Sequence, residues 1–312
     1  MSNFDFMAGG FDPNGEGRKL IGQAGKDNLK GSEGNDYLIG QAGKDKLRGL
    51  EGNDHLIGDY IPIEADYNSK GVLDLPQDLV YNDKLFSNAG SDILADQYGN
   101  DRLKGSDGDD RLISISDSSI PSENTNIPPG VEDGDDLDKL DFSNELINPY
   151  DMASKDILTG GSGADTFEWN LLINASKEIV QKHTNDDEVI NWGMNGVAGE
   201  NNNYHDHWVD GIGRDLITDF SGQGGENDQI IIRGHTVKVK LLSEKEKKAK
   251  LGLYSDQGND GVRGNGAHDF DVLGKILVRH DGNFNFNNDV QVIGVDYGAY
   301  GNGAELDEVF GF

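Results

Sequence analysis

The strongest constraint on the fold is a nine-residue repeat that begins at Gly22 and runs without a gap to Ile57. Its four units read GQAGKDNLK, GSEGNDYLI, GQAGKDKLR and GLEGNDHLI. Each unit has glycine at its first and fourth positions, aspartate at its sixth and leucine at its eighth. A period this short and this regular predicts a solenoid in which each unit supplies one turn and one short strand.

The same period returns twice further along the chain. One block reads SNAGSDILA, DQYGNDRLK and GSDGDDRLI over 87–113, and a shorter one reads DMASKDILT and GGSGADTFE over 151–168. In the first block, units one and three resemble each other, as do units two and four. We therefore predict that one coil contains two units, or 18 residues, with one strand in each of two sheets.

The charge balance indicates that the chain binds cations. It has 57 acidic and 27 basic residues and a formal net charge of −30, which argues against nucleic-acid and anionic-membrane partners. The chain has no cysteine, so disulfides, thiolate metal sites and cysteine nucleophiles are excluded. No stretch approaches the roughly 20 apolar residues of a membrane span, and the first ten residues lack the features of a cleaved signal peptide.

The turn of each unit has the composition of a calcium site. A glycine-rich turn directs backbone carbonyls and one aspartate carboxylate toward a common centre, and Ca²⁺ takes six to eight such oxygen ligands. One turn cannot complete this shell, so we expect roughly six to eight ions in total, each between turns of adjacent coils. The predicted carboxylate ligands are Asp27, Asp36, Asp45, Asp54, Asp92, Asp101, Asp110, Asp156 and Asp165. The predicted turn glycines are Gly22, Gly25, Gly31, Gly34, Gly40, Gly43, Gly49, Gly52, Gly90, Gly99, Gly105, Gly108, Gly160 and Gly163.

These units resemble the RTX (repeats-in-toxin) nonapeptide, GGxGxDxUx, in which U is a large apolar residue. The resemblance implies an all-β fold: a parallel β-roll, or RTX calcium solenoid, with insertions and a C-terminal β-rich capping domain that carries one or two helices. The chain departs from the pattern at the second glycine, which is present only as Gly161. After GGSGADTF, the segments DLITDF (215–220) and NDQIIIRG (227–234) resemble the usual end of such a roll.

The repeats divide the chain into four parts. Residues 1–58 are predicted to hold a capping segment and the first block, and 59–86 an insertion that packs on the roll. Residues 87–168 hold the second and third blocks, with an irregular insertion at 114–150. The C-terminal capping and secretion domain is predicted over 169–312.

Outward side chains differ between the two predicted sheets. In one sheet they are polar, as at Asn28 and Lys46, and in the other they include the apolar Tyr37 and Ile57. Contiguous apolar patches are uncommon on soluble chains. We expect residues 59–85 to cover the apolar face, and the alternative is that this face is a ligand platform.

The repeats do not account for segment 169–213. Apolar residues at helical spacing over 171–183 predict an amphipathic helix. His205 and His207 form an H-x-H pair, which on a strand places both imidazoles on one side. The candidates to complete a transition-metal site with them are His183, Asp206, His235 and His268. The tryptophan and tyrosine residues nearby suggest a glycan site as one alternative, and a purely structural role as another.

The sequence favours a role other than catalysis. It shows no serine nucleophile motif, HExxH helix or recognisable pair of catalytic carboxylates. The resemblance implies folding on extracellular calcium and export by type I secretion, and the final residues ELDEVFGF resemble the uncleaved signal of that route. We predict a secreted calcium-binding module with a structural, adhesive or surface role, whose further partners are the secretion machinery and an extracellular glycan or surface. The alternative is a secreted enzyme or carbohydrate-binding protein with its site in 169–213.

Overall fold

The fold consists of two parallel sheets that enclose one hydrophobic core. The computed structural model describes residues 17–59, 81–97, 99–116, 155–171, 173–174, 208–209, 211–234, 237–255 and 271–294. Within these ranges the regular secondary structure is nearly all β-strand, which confirms the predicted all-β parallel β-roll.

The two sheets are built from alternate strands of the chain. In spatial order, sheet 1 contains β1 (Lys19–Ile21), β3 (Tyr37–Ile39), β5 (His55–Ile57), β7 (Ile93–Asp96), β9 (Arg111–Ile115), β11 (Thr166–Leu171), β15 (Gln229–Gly234) and β19 (Val290–Gly294). Sheet 2 contains β2 (Asn28–Lys30), β4 (Lys46–Glu51), β6 (Lys84–Ala89), β8 (Arg102–Asp107), β10 (Ile157–Ser162), β14 (Gly213–Phe220), β18 (Asp271–His280), β17 (Lys248–Ser255) and β16 (Lys238–Lys245). The pairings of β16 with β17 and of β17 with β18 are antiparallel, and the other pairings in both sheets are parallel. The remaining described elements are an antiparallel pair, β12 (Ile173–Asn174) and β13 (Trp208–Val209), and a short helix, α1 (Phe286–Asp289).

Consecutive coils stack in register, so equivalent residues of the repeat lie side by side. Leu38 pairs with Leu56 in sheet 1, and Leu29 pairs with Leu47 in sheet 2, with 18 residues between partners. Because side chains alternate across a strand, the eighth residue of every unit faces the interior. The fully buried side chains of this stack are Leu38, Leu47, Leu56, Leu85, Leu94, Leu103, Leu112, Leu158, Phe167, Ile217 and Ile230.

Two edges connect the sheets, and they differ in regularity. At edge 1 the chain passes from sheet 1 to sheet 2, as between β1 and β2, and at edge 2 it returns, as between β2 and β3. The long interruptions of the repeat lie between β5 and β6, between β9 and β10, and between β11 and β14. All three start and end at edge 1. The turns of edge 2 are therefore undisturbed through the same coils.

The roll is longer than the repeats in the sequence indicate. Lys84 begins β6 inside the segment predicted as an insertion at 59–86, and this strand pairs in register with β4. Beyond residue 168, β14, β15, β18 and β19 extend both sheets in parallel. The segment 169–312 therefore contributes further coils to the roll instead of only capping it. A coil needs two pairing strands with an inward apolar side chain, and these can persist where the glycines of the repeat are lost.

The helix predicted over 171–183 is wrong at its start. Leu171 ends β11 and pairs with Gly234, and residues 173–174 form β12. Parallel pairing with a neighbouring strand thus overrides the local helical pattern, and residues 175–183 lie outside the described part. No helix among the described residues is long and apolar enough to span a membrane.

The outer face of sheet 1 is largely buried at β3 and β5, as the apolar pattern predicts, whereas Ile21 of β1 is 52% exposed. Tyr37 is 8% exposed and Ile57 is 1% exposed, whereas Asn28 and Lys30 of sheet 2 are exposed. Residues 60–80, which were predicted to cover this face, lie outside the described residues.

Candidate metal centre

Twelve described aspartates form two rows, one along each edge of the roll. Each is the residue that precedes or begins the pairing part of a strand, so the same carboxylate recurs in every coil. Row 1 lies at edge 1 and contains Asp27, Asp45, Asp83, Asp101, Asp156 and Asp215. Row 2 lies at edge 2 and contains Asp36, Asp54, Asp92, Asp110, Asp165 and Asp228.

Backbone hydrogen bonds orient the carboxylates of each row. The amide of Asp36 donates to Oδ1 of Asp54 at 2.9 Å, and the amide of Asp54 donates to Oδ1 of Asp92 at 2.7 Å. The same contact joins every neighbouring pair in both rows, over 2.6–2.9 Å. Each coil therefore positions the carboxylate of the next coil through Oδ1 and leaves Oδ2 for a different partner.

In the inner coils, this second carboxylate oxygen is buried and accepts no hydrogen bond from the part of the protein that the structure describes. Buried polar atoms are normally satisfied by protein, water or an ion, because loss of hydration is otherwise uncompensated. An array of hard, anionic oxygens beside glycine turns fits Ca²⁺. The oxygens concerned are Oδ2 of Asp45, Asp54, Asp83, Asp92, Asp101, Asp110 and Asp165.

Burial also raises the pKa values of these carboxyl groups. The pKa rises to about 7 for Asp54 and Asp110 and to about 6 for Asp45, first because the ionised form loses its hydration. The amide hydrogen bond from the preceding coil lowers each pKa in part, and neighbouring carboxylates of the row raise it again. A bound cation would favour the ionised form at every one of these positions.

Glycine at the first position of the turn makes room for Oδ2. A β-carbon on Gly22 would lie 2.6 Å from Oδ2 of Asp27. At Gly31, Gly49 and Gly105 it would overlap outright with Oδ2 of the aspartate in the same turn. At these four turns the first glycine is therefore required by close approach. Glycines at the fourth position have left-handed φ angles of 112–140°, at Gly25, Gly43, Gly52, Gly90, Gly99, Gly108 and Gly163.

The backbone at the second position of the turn differs between turns in which Oδ2 of the aspartate accepts a hydrogen bond and turns in which it does not. In the first two described turns, the amides of Gln23 and Ser32 donate to Oδ2 of Asp27 and Asp36. In five later turns the second residue has a left-handed φ of 75–131°, and Oδ2 of the aspartate in that turn has no partner. Four of these five residues are not glycine, so the turn keeps a strained backbone where the carboxylate oxygen is open. The five residues are Gln41, Leu50, Asn88, Ser106 and Gly161.

At the C-terminal end of row 1, side chains donate hydrogen bonds to Oδ2 of the aspartates. The hydroxyl of Ser114 donates to Oδ2 of Asp156 at 3.0 Å, and the indole of Trp169 donates to Oδ2 of Asp215 at 2.7 Å. Ser114 and Trp169 both occupy the first position of a turn, where the first three turns of row 1 have glycine. The last two turns of row 1 thus use side-chain donors in place of an open site.

Row 2 is closed at both ends. Arg18 stands at its N-terminal end in the place of an aspartate: its amide donates to Oδ1 of Asp36 at 2.5 Å, and its guanidinium donates to the carbonyl of Gly31 at 3.3 Å. At the C-terminal end, the amide of Ser221 donates to Oδ2 of Asp228 at 2.8 Å. Within the described roll, the open carboxylate oxygens are therefore confined to the inner coils.

Comparison with known families agrees with this geometry. The model of the RTX calcium-binding nonapeptide repeat (four copies) matches residues 21–56, 86–114 and 150–168. The chain carries RTX calcium-binding nonapeptide repeats. The matched residues include six of the seven row aspartates with an open carboxylate oxygen, namely Asp45, Asp54, Asp92, Asp101, Asp110 and Asp165. Comparison with curated proteins and with solved structures gave no match.

The RTX roll brings all nine predicted aspartates into the two rows, and their individual calcium contacts stay predictions. Three row members were missed by the sequence reasoning. Asp83 follows Asn82 in NDKLF, which has the fifth to ninth positions of a unit, but Tyr81 occupies the place of the glycine. Asp215 and Asp228 lie in the segments interpreted as the end of the RTX roll, where insertion lengths hide the nine-residue period.

The second predicted metal site is the histidine site of segment 169–213. His183, His205 and His207 lie outside the described residues. The transition-metal and glycan interpretations of 169–213 therefore stay predictions.

Proposed function

We propose that this protein is a secreted, extracellular RTX module whose roll folds when calcium neutralises the two rows of carboxylates. The repeats and the β-roll supply the calcium-binding part of this proposal. Export by type I secretion and a structural, adhesive or surface role are the parts that go further.

One observation carries the proposal: within the described ranges, seven inner carboxylates each bury an oxygen without a protein partner. These side chains cannot turn to water without breaking the Oδ1 contacts that align the coils. A divalent cation supplies positive charge and a demand for oxygen ligands at this place. Binding to the folded roll alone then converts binding free energy into folding free energy.

Electrostatics makes the folded roll unfavourable without such charge. Neighbouring strands of a sheet lie about 4.8 Å apart. Two ionised carboxylates at that spacing repel by about 3 kcal/mol at an effective dielectric constant of about 20. Four uncompensated pairs would therefore match the whole stability of a typical domain, about 5–15 kcal/mol.

The strands of the first block cannot offset this repulsion alone. β1, β2, β3 and β5 have three residues each, which is the short end of the range for strands. At the low calcium concentration of a cytosol we expect an unfolded chain that suits export through a type I channel. At the calcium concentration outside the cell we expect the roll to form.

The proposed role is non-enzymatic. The row carboxylates are bound to backbone amides and turned into the roll, so they serve the fold and its ions. A secreted enzyme or glycan-binding protein with a site in 169–213 is the alternative, and that segment is the place to test for it.

The test is a far-ultraviolet circular dichroism titration of the whole chain, started in excess chelator. We expect an unfolded spectrum that converts to a β spectrum as free calcium reaches the millimolar range, and little conversion with magnesium at the same ionic strength. A complete β spectrum in chelator would contradict the proposal.

Matched variants separate specific binding from general charge. Asp54→Asn with Asp110→Asn removes two open carboxylates from row 2, and we expect the calcium midpoint to rise. Glu244→Gln with Glu246→Gln makes the same change of charge on the exposed hairpin of β16 and β17, and we expect no shift. Equal shifts for both pairs would show that only net charge matters.

A further inference from the structure

Three buried carboxylates converge where the first insertion leaves and re-enters the roll. Asp59 follows β5 directly, Asp83 precedes β6, and Asp96 ends β7 in the next coil. One oxygen from each lies within 4.8 Å of one from each of the others. All three side chains are at most 1% exposed.

The oxygens of this cluster are not satisfied by the protein. Among the described residues, neither oxygen of Asp59 accepts a hydrogen bond, and the same is true of Oδ2 of Asp83 and Oδ2 of Asp96. Burial and the charges of the neighbouring aspartates raise the pKa of Asp59 and of Asp96 well above the ordinary value. Lys44 lowers the pKa of Asp83 only in part. The amide of Gly43 also acts on Asp59 but does not reach hydrogen-bonding geometry.

The cluster departs from the repeat in a way that adds ligands. In the two preceding turns of row 1 the first position is glycine and the second is glutamine, so each turn offers one carboxylate. Here Asp59 is the second residue of the turn that begins at Gly58, and Asp83 is the regular sixth-position aspartate of that turn. Asp96 is the first residue of the equivalent turn in the next coil. Gly58 lies between them, and a β-carbon there would lie 2.6 Å from Oδ2 of Asp83 and from both oxygens of Asp96.

We propose that Asp59, Asp83 and Asp96 form a three-carboxylate calcium site that binds more tightly than the one-carboxylate turns of the roll. Calcium affinity in oxygen sites rises with the number of charged ligands. The bound ion would join the two ends of the first insertion to the next coil. This proposal deepens the proposed function and rests on it, because Asp83 is also one of the open carboxylates of row 1.

The experiment is flow dialysis with radioactive calcium on the full-length chain. For the natural sequence we expect one ion per chain to bind about tenfold more tightly than the remaining class. Asp59→Asn, which removes a carboxylate that is outside both rows, should abolish the tight class. Glu244→Gln makes the same change of charge on the exposed hairpin of β16 and β17, outside both rows, and should keep it.

A second variant guards against loss of folding. Asp96→Gly restores the glycine of the regular repeat and should also abolish the tight class, while circular dichroism in saturating calcium reports whether each variant folds. A tight class that persists in Asp59→Asn or in Asp96→Gly, or that is missing from the natural sequence, overturns the proposal. If the roll proves to be folded in chelator, the proposed function fails, and the same dialysis still counts the tight ion.

Discussion

The indole Nε1 of Trp169 donates a 2.7 Å hydrogen bond to Oδ2 of Asp215, and both side chains are fully or almost fully buried. In the inner coils the equivalent oxygen has no protein partner. The indole therefore takes the position at the last row 1 turn that a cation is proposed to take elsewhere. Trp169 directly follows the last regular unit in the sequence, and its side chain satisfies the last carboxylate of row 1.

Replacing Trp169 by phenylalanine should destabilise the calcium-loaded protein. The ring still fills the core, but Oδ2 of Asp215 loses its donor, and an unsatisfied buried acceptor costs about 1–3 kcal/mol. Urea unfolding in saturating calcium measures the loss. A double-mutant cycle with Asp215→Asn isolates the pair, and strictly additive effects would contradict a direct interaction.

Relief of backbone strain at Leu50 should stabilise the roll. Its φ of 100° is unfavourable for a bulky residue, and the left-handed region costs such residues about 1–2 kcal/mol. Glycine adopts this conformation freely but gains entropy in the unfolded chain, so we expect Leu50→Gly to stabilise the protein by up to about 1 kcal/mol. The urea midpoint in saturating calcium is the measurement.

The matched control for Leu50 is Gln23→Gly, at the same position of the repeat. Gln23 is not left-handed, and its amide already donates to Oδ2 of Asp27, so glycine relieves no strain there. We expect no gain in stability from this change. A similar gain at both positions would show that strain at Leu50 is not the cause.

The pH dependence of folding should reverse with calcium. Burial raises the pKa of Asp54 and Asp165 to about 7 and that of Asp45 to about 6 in the folded chain, above the unfolded value near 3.9. The calcium-free roll therefore holds more protons than the unfolded chain between these values. This contribution to stability is fully present below about pH 4 and is lost as the pH rises through about 6–7.

The measurement is the folded fraction by circular dichroism at pH 5 and pH 8. In chelator we expect the larger fraction at pH 5. In limiting calcium we expect the larger fraction at pH 8, because protons compete with the ion for the same carboxylates. The same direction under both conditions would contradict the assignment of these carboxylates as ion ligands.

Glu168 should contribute to stability by joining three strands of sheet 1. It lies on β11, is 1% exposed, and accepts hydrogen bonds from Arg111 on β9 at 2.8 Å and from Arg233 on β15 at 2.8 Å. Both arginines are partly exposed, so solvent weakens the pairs, and we expect Glu168→Gln to cost about 2 kcal/mol. Urea unfolding in saturating calcium measures it, and Glu244→Gln on the exposed hairpin is the control that should change nothing.

Much of this fold could be predicted from local pattern. The 18-residue coil, the inward leucines and the nine regular aspartates follow from the period, because identical turns and strands stack only in register. The period fails where single residues break it. Tyr81 replaces the glycine of the repeat, so the unit that contains Asp83 was not recognised. The insertions before Asp215 shift that residue out of the nine-residue period.

By itself, the sequence determined the parallel β-roll and the aspartate of each regular turn, since both are consequences of spacing along the chain. The tertiary structure decided which of those carboxylates keep an open oxygen. That depends on groups brought from other coils, such as Ser114 beside Asp156 and Trp169 beside Asp215. It also placed Asp59, Asp83 and Asp96 together, because only the stacking of coils brings the two ends of an insertion against the next turn.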